Sequence, residues 1–150
     1  MLFRSADPRS HIYYLPELYC AYFGRCYAAF MALPAAARQV IDPDGAFELI
    51  RSNVLAYVQD ELITCEMNAF DAALALIALG HLGADVASFT PALHCIISAR
   101  GEGGRHGPFK AYEWNKMKTP TRILVGGPEV TSAFVLMGLA LARRAITRGS

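Results

Sequence analysis

One carboxylate stands out among the residues that could carry out chemistry, because it lies at the start of the most apolar segment of the chain. Phe70 precedes Asp71, and the segment Ala-Ala-Leu-Ala-Leu-Ile-Ala-Leu-Gly follows it. An apolar setting raises the pKa of a carboxyl group and so favours a general acid. Asp71 is also the third residue of a helix that Asn68 can cap, where a carboxylate can bond back to the helix start. Asp71 is therefore predicted either to cap its helix or to act as a catalytic acid or a cation-stabilising group.

A second candidate site lies in the glycine-rich segment 100–126, which carries six basic and two acidic residues between Arg100 and Arg122. Its Gly-Glu-Gly-Gly-Arg-His-Gly stretch lacks the Gly-Lys-Ser/Thr ending of a phosphate-binding loop. The segment is predicted to be a solvated basic loop or, alternatively, a site that attracts a diphosphate head group or an anionic lipid. The predicted anion-binding residues are Arg105, Lys110, Lys116 and Lys118. The aromatic residues Tyr112 and Trp114 accompany this basic run.

The cysteines and histidines show no catalytic or metal-binding spacing, so neither a metal nor a cofactor is expected. The chain contains no Cys-x-x-Cys pair and no hydrophobic signal-peptide region at its start. Reduced thiols in a cytoplasmic protein are therefore predicted. The formal net charge of +1 gives no support for a nucleic-acid partner. No uninterrupted apolar run approaches the ~18 residues of a membrane span, so a protein that at most associates with a membrane surface is expected.

Helix start and stop signals divide the 150 residues into five or six helices within one domain. Residues 1–10 lack periodicity and are predicted to be a flexible lead-in, and the only strand signal lies at residues 122–125. The helix after Asp42-Pro43 is amphipathic, with Asp42 as the predicted cap, whereas the helix after Asn68 is apolar on every face. The predicted helices cover residues 16–31, 42–60, 68–82, 90–99 and 127–148, with a short turn at 35–40.

Two of these helices are related as an internal repeat. Shifting residues 71–79 by 60 positions places them on residues 131–139. The identical pairs are Ala73 with Ala133, Leu76 with Leu136 and Leu79 with Leu139. Each repeat of about 60 residues would contain one buried helix, one more exposed helix and a loop. A unit of this kind buries its apolar face only by stacking on its neighbours.

The two helices of this repeat resemble segments of a known family. The stretch Asn-Ala-Phe-Asp-Ala-Ala-Leu-Ala-Leu-Ile-Ala-Leu-Gly at residues 68–80 is similar to the helix start D-T-A-x-A-L-x-A-L-G of the terpenoid cyclases and protein prenyltransferases. Residues 126–134, Gly-Gly-Pro-Glu-Val-Thr-Ser-Ala-Phe, are similar to the segment that opens the following inner helix of those proteins. The resemblance covers roughly residues 62–145. It implies an all-α fold of helical-hairpin repeats that forms a partial, half α/α toroid around an apolar cavity for isoprenoid chains.

The same comparison shows where the chain departs from the family pattern. The acid position of the D-x-D-D motif of triterpene cyclases is occupied by Phe70, and only Asp71 remains of its carboxylates. The Asp-x-Cys zinc pair of the prenyltransferases is absent from the sequence. Binding is therefore expected rather than catalysis by this chain alone; a terpene cyclase-like isomerase or lyase, or a prenyl transferase, would be the activity if there is one. The expected ligand-contacting residues are Phe70, Tyr112, Trp114 and Phe134.

The composition fits an incomplete ring. Apolar residues make up 54% of the chain and charged residues only 18%, which is too apolar for a 150-residue monomer that covers its own surface. The sequence thus predicts a protein that pairs with itself or with a second helical chain and encloses an isoprenoid or similar apolar ligand. Two alternatives stay open at this point, namely a non-catalytic helical interaction or scaffold protein and an inactive fragment of a larger cyclase.

Overall fold

The computed structural model describes residues 16–63, 67–101, 103, 106, 111–114, 121–124 and 127–149. These residues are mostly helical, as the sequence predicts for an all-α protein. The helices are α1 (Pro16–Met31), α2 (Ala35–Ile41), α3 (Ala46–Tyr57), α4 (Ala69–Leu82), α5 (Thr90–Ser98) and α6 (Pro128–Gly149). A π-helical turn at Val58–Leu62 follows α3, and a 3-10 turn at Val86–Phe89 precedes α5.

Helix α4 is the centre of the fold. Every residue from Ala69 to Leu79 is buried, as expected for a helix that is apolar on all faces. Its predicted cap is confirmed, because the Asn68 Oδ1 atom accepts hydrogen bonds from two backbone N–H groups of the first turn. Gly83 ends the helix with φ 68°, a left-handed conformation that glycine adopts without steric cost.

Helices α1, α4 and α6 lie side by side as a row and run in the same direction. Along α4 and α6, Phe70 meets Phe134, and farther down Gly80 meets Leu141. On the other side of α4, Gly24 of α1 packs directly against the backbone of Ala78. The two helices related by the sequence repeat are therefore neighbours in space, and α1 adds a third parallel helix.

Helices α3 and α5 cover one side of this row. Phe47 of α3 stacks on Phe23 and Phe30 of α1, with ring centroids 6.1 and 4.3 Å apart. Arg51 of α3 donates from Nε to the Leu82 carbonyl oxygen and satisfies one of the free carbonyls at the end of α4. Helix α5 also packs against α4, and Gln59 in the turn after α3 donates to the Ser88 hydroxyl in the turn before α5. Helices alternate between the row and this covering layer along the chain.

Two local predictions need correction. Asp42 accepts hydrogen bonds from the Ala46 and Phe47 N–H groups, but the left-handed Gly45 occupies the cap position, and the helix begins at Ala46 instead of Pro43. Within the predicted loop 100–126, the structure contains an antiparallel hairpin of β1 (Ala111–Trp114) and β2 (Thr121–Leu124). Strand β2 coincides closely with the single strand signal of the sequence.

Only one side of α6 is buried, whereas α4 is buried on every side. Thr131, Val135 and Ala142 are buried against the core, whereas Leu136 and Met137 are 68% and 43% exposed. The segment Pro128–Arg148, with 21 residues and mean hydropathy 1.4, is long and apolar enough to cross a membrane by length and composition alone. The sequence expectation counted uninterrupted apolar runs, whereas this helix reaches the length with polar and charged residues among its apolar ones. The core helix of a soluble protein passes the same test.

Candidate functional site

A shallow groove runs along the side of the helix row that α3 and α5 leave uncovered. Helix α4 forms its floor, and α1 and α6 form its walls. The groove encloses about 140 Å³ and is lined by Leu18, Ala21, Tyr22, Arg25, Leu74, Ile77, Phe134 and Met137. This set is called the row groove below. Its lining is apolar apart from the Tyr22 hydroxyl and the Arg25 guanidinium, so it suits an apolar ligand with at most one polar end.

The periodicity of three helices produces the row groove. On α4, residues 70, 74 and 77 share one face, and they form a small cluster with Ala21 of α1. Phe134 packs against this cluster from α6. The outward faces of α1 and α6 remain exposed along the groove, with Tyr22 51% and Met137 43% exposed.

Two of the predicted ligand-contacting residues come together at one end of the row groove. Phe70 and Phe134 lie edge to face, with ring centroids 5.1 Å apart and an interplanar angle of 70°. Phe134 lines the groove, whereas Phe70 is only 4% exposed and supports the floor from below. The structure therefore places one predicted aromatic at the groove surface and the other behind it.

Asp71, the predicted catalytic acid, is buried but does not line the row groove. It is 4% exposed and follows Phe70 on α4. Its charge adds to the desolvation that raises the pKa of the Cys95 thiol on α5. The Cys95 Sγ atom donates to the Met67 carbonyl oxygen at 3.3 Å. Asp71 is thus close enough to α5 for its charge to act on Cys95, at the same end of the row as the aromatic pair.

The predicted basic site lies largely outside the described residues. Arg105, Lys110, Lys116 and Lys118 are not among them, and for Tyr112 and Trp114 only the backbone of strand β1 is described. Register pairs Tyr112 with Ile123 and Trp114 with Thr121. The proposed roles of these six residues stay predictions.

Sequence reasoning missed Arg25, the one cation that lines the row groove within the described chain. It is exposed on α1, and its charge contributes, after desolvation, to the lowered pKa of His81 at the end of α4. The signal available in the sequence was its spacing of three and seven residues from Tyr22 and Leu18, which places all three on one helix face. An anionic group on a groove ligand would meet Arg25.

A larger groove of about 390 Å³ lies between α5 and α6. Its apolar lining comes from Ile96, Ile97, Val135, Leu136 and Leu139, and its polar lining from Arg100, His106 and Ser132. His106 is 7% exposed, and its Nδ1 atom has no hydrogen-bond partner among the described residues. This groove opens on the last helix of the row, on the side away from α1.

The described residues contain no group of three or more histidine, cysteine, aspartate or glutamate side chains that could hold a metal ion. No carboxylate, thiol or imidazole is among the described residues that line the row groove. The arrangement can therefore bind by shape and apolar contact. Comparison of the chain with protein-family models, with curated proteins and with solved structures gives no match.

Proposed function

We propose that this chain is a helical repeat protein, similar to one half of an α/α toroid of the terpenoid cyclase type, that binds an isoprenoid or similar apolar ligand after pairing. The observation that carries the proposal is the row groove, an apolar surface built by three parallel helices with the aromatic ring of Phe134 at one end. Pairing is part of the proposal because the groove encloses about 140 Å³. Sites for small molecules commonly enclose roughly 300–1,000 Å³.

The role of this chain would be to bind its ligand and not to transform it. The described groove offers hydrocarbon and aromatic surface, and the buried Asp71 is not among the residues that line it. An anionic head group would be attracted by Arg25 and by the basic residues Arg105, Lys110, Lys116 and Lys118. A cytoplasmic protein peripheral to a membrane would meet ligands of this kind at the lipid surface.

Binding of farnesol and farnesyl diphosphate to the purified chain, followed by isothermal titration calorimetry, tests the proposal. Met137→Asp places a charge in the row groove and is expected to weaken farnesol binding by roughly tenfold or more, because the carboxylate must lose its water when the ligand covers it. The matched control is Leu49→Asp, since Leu49 is 61% exposed on α3, outside the groove. Absence of farnesol binding to the wild-type chain would contradict the proposal, and so would equal binding by the two variants.

A separate experiment tests whether basic residues bind the diphosphate group of the ligand. Farnesyl diphosphate is expected to bind more tightly than farnesol, and Arg25→Gln is expected to reduce that preference. The double variant Lys116→Ala/Lys118→Ala tests the basic segment in the same way. If it leaves the preference for the diphosphate unchanged, the functional interpretation of these two lysines is wrong.

A non-catalytic interaction or scaffold function is the second candidate. The observation that favours it is the set of large apolar side chains that stay exposed outside the row groove, including Val40, Leu49, Ile97 and Leu136. An inactive fragment of a larger cyclase would expose the same side chains. Both candidates predict a monomer that fails to bind farnesol and that aggregates without another protein.

A further inference from the structure

The groove between α5 and α6, called the α5–α6 groove below, is a second surface that suits a ligand. Its volume of about 390 Å³ lies toward the small end of the range of small-molecule sites. Ile96 of α5 and Val135 of α6 line it as buried hydrocarbon, 3% and 2% exposed. Ile97 and Leu136 line it as well, one from each helix, and yet remain 70% and 68% exposed. An alkyl chain between the two helices would cover both of these exposed side chains.

Two polar lining residues come from the glycine-rich segment that follows α5. Arg100 and His106 form an isolated antiparallel β-bridge. Gly103, in the turn between them, has φ 70°, a left-handed conformation that favours glycine. Residues directly opposite each other in an antiparallel pair have side chains on the same face, with Cβ atoms about 4.5–5.5 Å apart. The turn therefore places a guanidinium group and an imidazole ring side by side at the groove.

The imidazole of His106 indicates that this groove has an occupant with a polar group. His106 is 7% exposed, and its buried Nδ1 atom has no hydrogen-bond partner among the described residues. Most buried polar side-chain atoms of native proteins are hydrogen-bonded, because an unpaired buried atom has lost its water without compensation. Since His106 lines the α5–α6 groove, a ligand there can supply the missing partner.

Arg100 indicates the charge of that polar group. It is exposed, and it is the only residue with a permanent charge in the described lining of the groove. The nearby end of α5 carries about half a negative charge from the helix dipole, which leaves Arg100 with an excess of positive charge. One guanidinium matches a monoanion, and its planar geometry suits the two oxygens of a carboxylate. The Ser132 hydroxyl on α6 is a further possible donor.

We propose that the α5–α6 groove binds a medium-chain fatty acid, with its carboxylate at Arg100 and His106 and its alkyl chain against Ile97 and Leu136. The His106 Nδ1–H group donates to one carboxylate oxygen, and the Arg100 guanidinium donates to the same carboxylate. The described linings of the α5–α6 groove and the row groove share no residue. The inference therefore adds a second site to the proposed function and does not depend on it.

Isothermal titration calorimetry of the purified chain with decanoate, below its micelle-forming concentration, tests the carboxylate end. Decanoate is expected to bind at least roughly tenfold more tightly than decanol, because hydrogen bonds to a charged group are the strong ones. Arg100→Gln and His106→Phe are each expected to weaken decanoate binding by roughly tenfold and to leave decanol binding within about twofold of the wild type. Thermal unfolding without ligand checks the fold of each variant, and the exposed Arg100 keeps the test decisive if His106→Phe does not fold.

A set of three aspartate variants tests where the alkyl chain lies. Leu136→Asp is expected to weaken decanoate binding by roughly tenfold or more, because its carboxylate would be desolvated by the alkyl chain and would repel the ligand. Leu49→Asp is the matched control, since Leu49 is 61% exposed on α3 and lines neither groove. Met137→Asp changes the next residue of α6, which lines the row groove, and is expected to leave decanoate binding within about twofold of the wild type.

The outcomes separate this inference from the proposed function. Absence of decanoate binding, equal binding of decanoate and decanol, or decanoate binding that Arg100→Gln leaves unchanged each overturns the fatty-acid site, even if farnesol binds. Decanoate binding that is lost in Met137→Asp and kept in Leu136→Asp would assign the fatty acid to the row groove and overturn the α5–α6 site. Decanoate binding that follows the expected pattern in a chain that binds no farnesol supports this site and overturns the proposed function alone.

Discussion

Phe70 and Phe134 meet edge to face, 5.1 Å between ring centroids, although 64 positions separate them in the sequence. Phe70 belongs to α4 and Phe134 to α6, so their contact joins these two helices near their starts. Phe70 is buried, and Phe134 is partly exposed at the row groove. The pair therefore links the stability of the helix row to the shape of the candidate binding surface.

The aromatic pair is expected to contribute beyond the burial of its two rings. In a double-mutant cycle of Phe70→Leu and Phe134→Leu, followed by urea unfolding, a coupling of about 0.5–1.5 kcal/mol is expected, because edge-to-face rings attract through their quadrupoles. Leucine keeps most of the apolar volume, so the cycle isolates the ring contact. Additive effects of the two single variants would mean that the rings make no specific interaction.

The cap of the central helix is expected to matter measurably. Asn68 Oδ1 accepts from the backbone N–H groups of Phe70 and Asp71, each at 2.9 Å. Asn68→Ala is expected to lower the free energy of unfolding by about 1 kcal/mol, because it leaves both donors without this acceptor. Asn68→Ser keeps a side-chain oxygen and serves as the control. Equal loss in both variants, measured by chemical denaturation, would contradict the capping role.

Close contact between α4 and α6 depends on a glycine. A Cβ atom on Gly138 would lie 3.0 Å from the Ala73 carbonyl oxygen and 3.1 Å from the Leu76 Cβ atom. Gly138→Ala is therefore expected to destabilise the protein by about 1–3 kcal/mol, because the two helices must separate. Alanine is the better helix former by about 1 kcal/mol, so propensity alone predicts the opposite sign.

Ala140→Gly provides the matched reference for Gly138→Ala, since Ala140 is exposed on the same helix. It is expected to destabilise α6 by roughly 1 kcal/mol through helix propensity alone. Thermal unfolding of both variants separates the two effects. Stabilisation by Gly138→Ala would show that α4 and α6 do not approach closely at this position.

His81 is expected to make stability depend on pH. Desolvation, followed by the positive charge of Arg25, lowers the pKa of His81 from its ordinary value of 6.5. Between that lowered pKa and 6.5, the unfolded chain binds a proton that the folded chain does not, so stability falls as the pH drops through this window. His81→Gln is expected to flatten the pH dependence of unfolding there.

Arg25→Gln tests the cause of the His81 shift. Removing the positive charge is expected to reduce the slope of stability against pH partway, because desolvation of His81 remains. Urea unfolding between about pH 5 and 7.5 measures the slope for the wild-type chain and both variants. An unchanged slope in His81→Gln would assign the pH dependence to other groups.

Several elements of the fold could be predicted from local sequence alone. The start of α4 follows from Asn68, whose side chain caps, and its end follows from Gly83, which adopts the left-handed conformation there. The Asp42-Pro43 pattern predicts a start of α3 that is too early, because the turn through Gly45 depends on backbone geometry that the local pattern does not specify. Of the hairpin, the local sequence predicts only β2. The pairing of β1 with β2 joins residues that are separated along the chain, so no local pattern indicates it.

The sequence by itself determined which segments are helical and which helix is buried on all sides. These properties follow from side-chain periodicity, capping residues and composition, all of which act within a few turns of the chain. Only the tertiary structure decided that α1 joins the row, that Phe134 and not Asp71 lines the groove, and that α6 is exposed on one side. The reason is that the buried and exposed sides of a helix depend on which elements pack against it, and those elements come from distant parts of the chain.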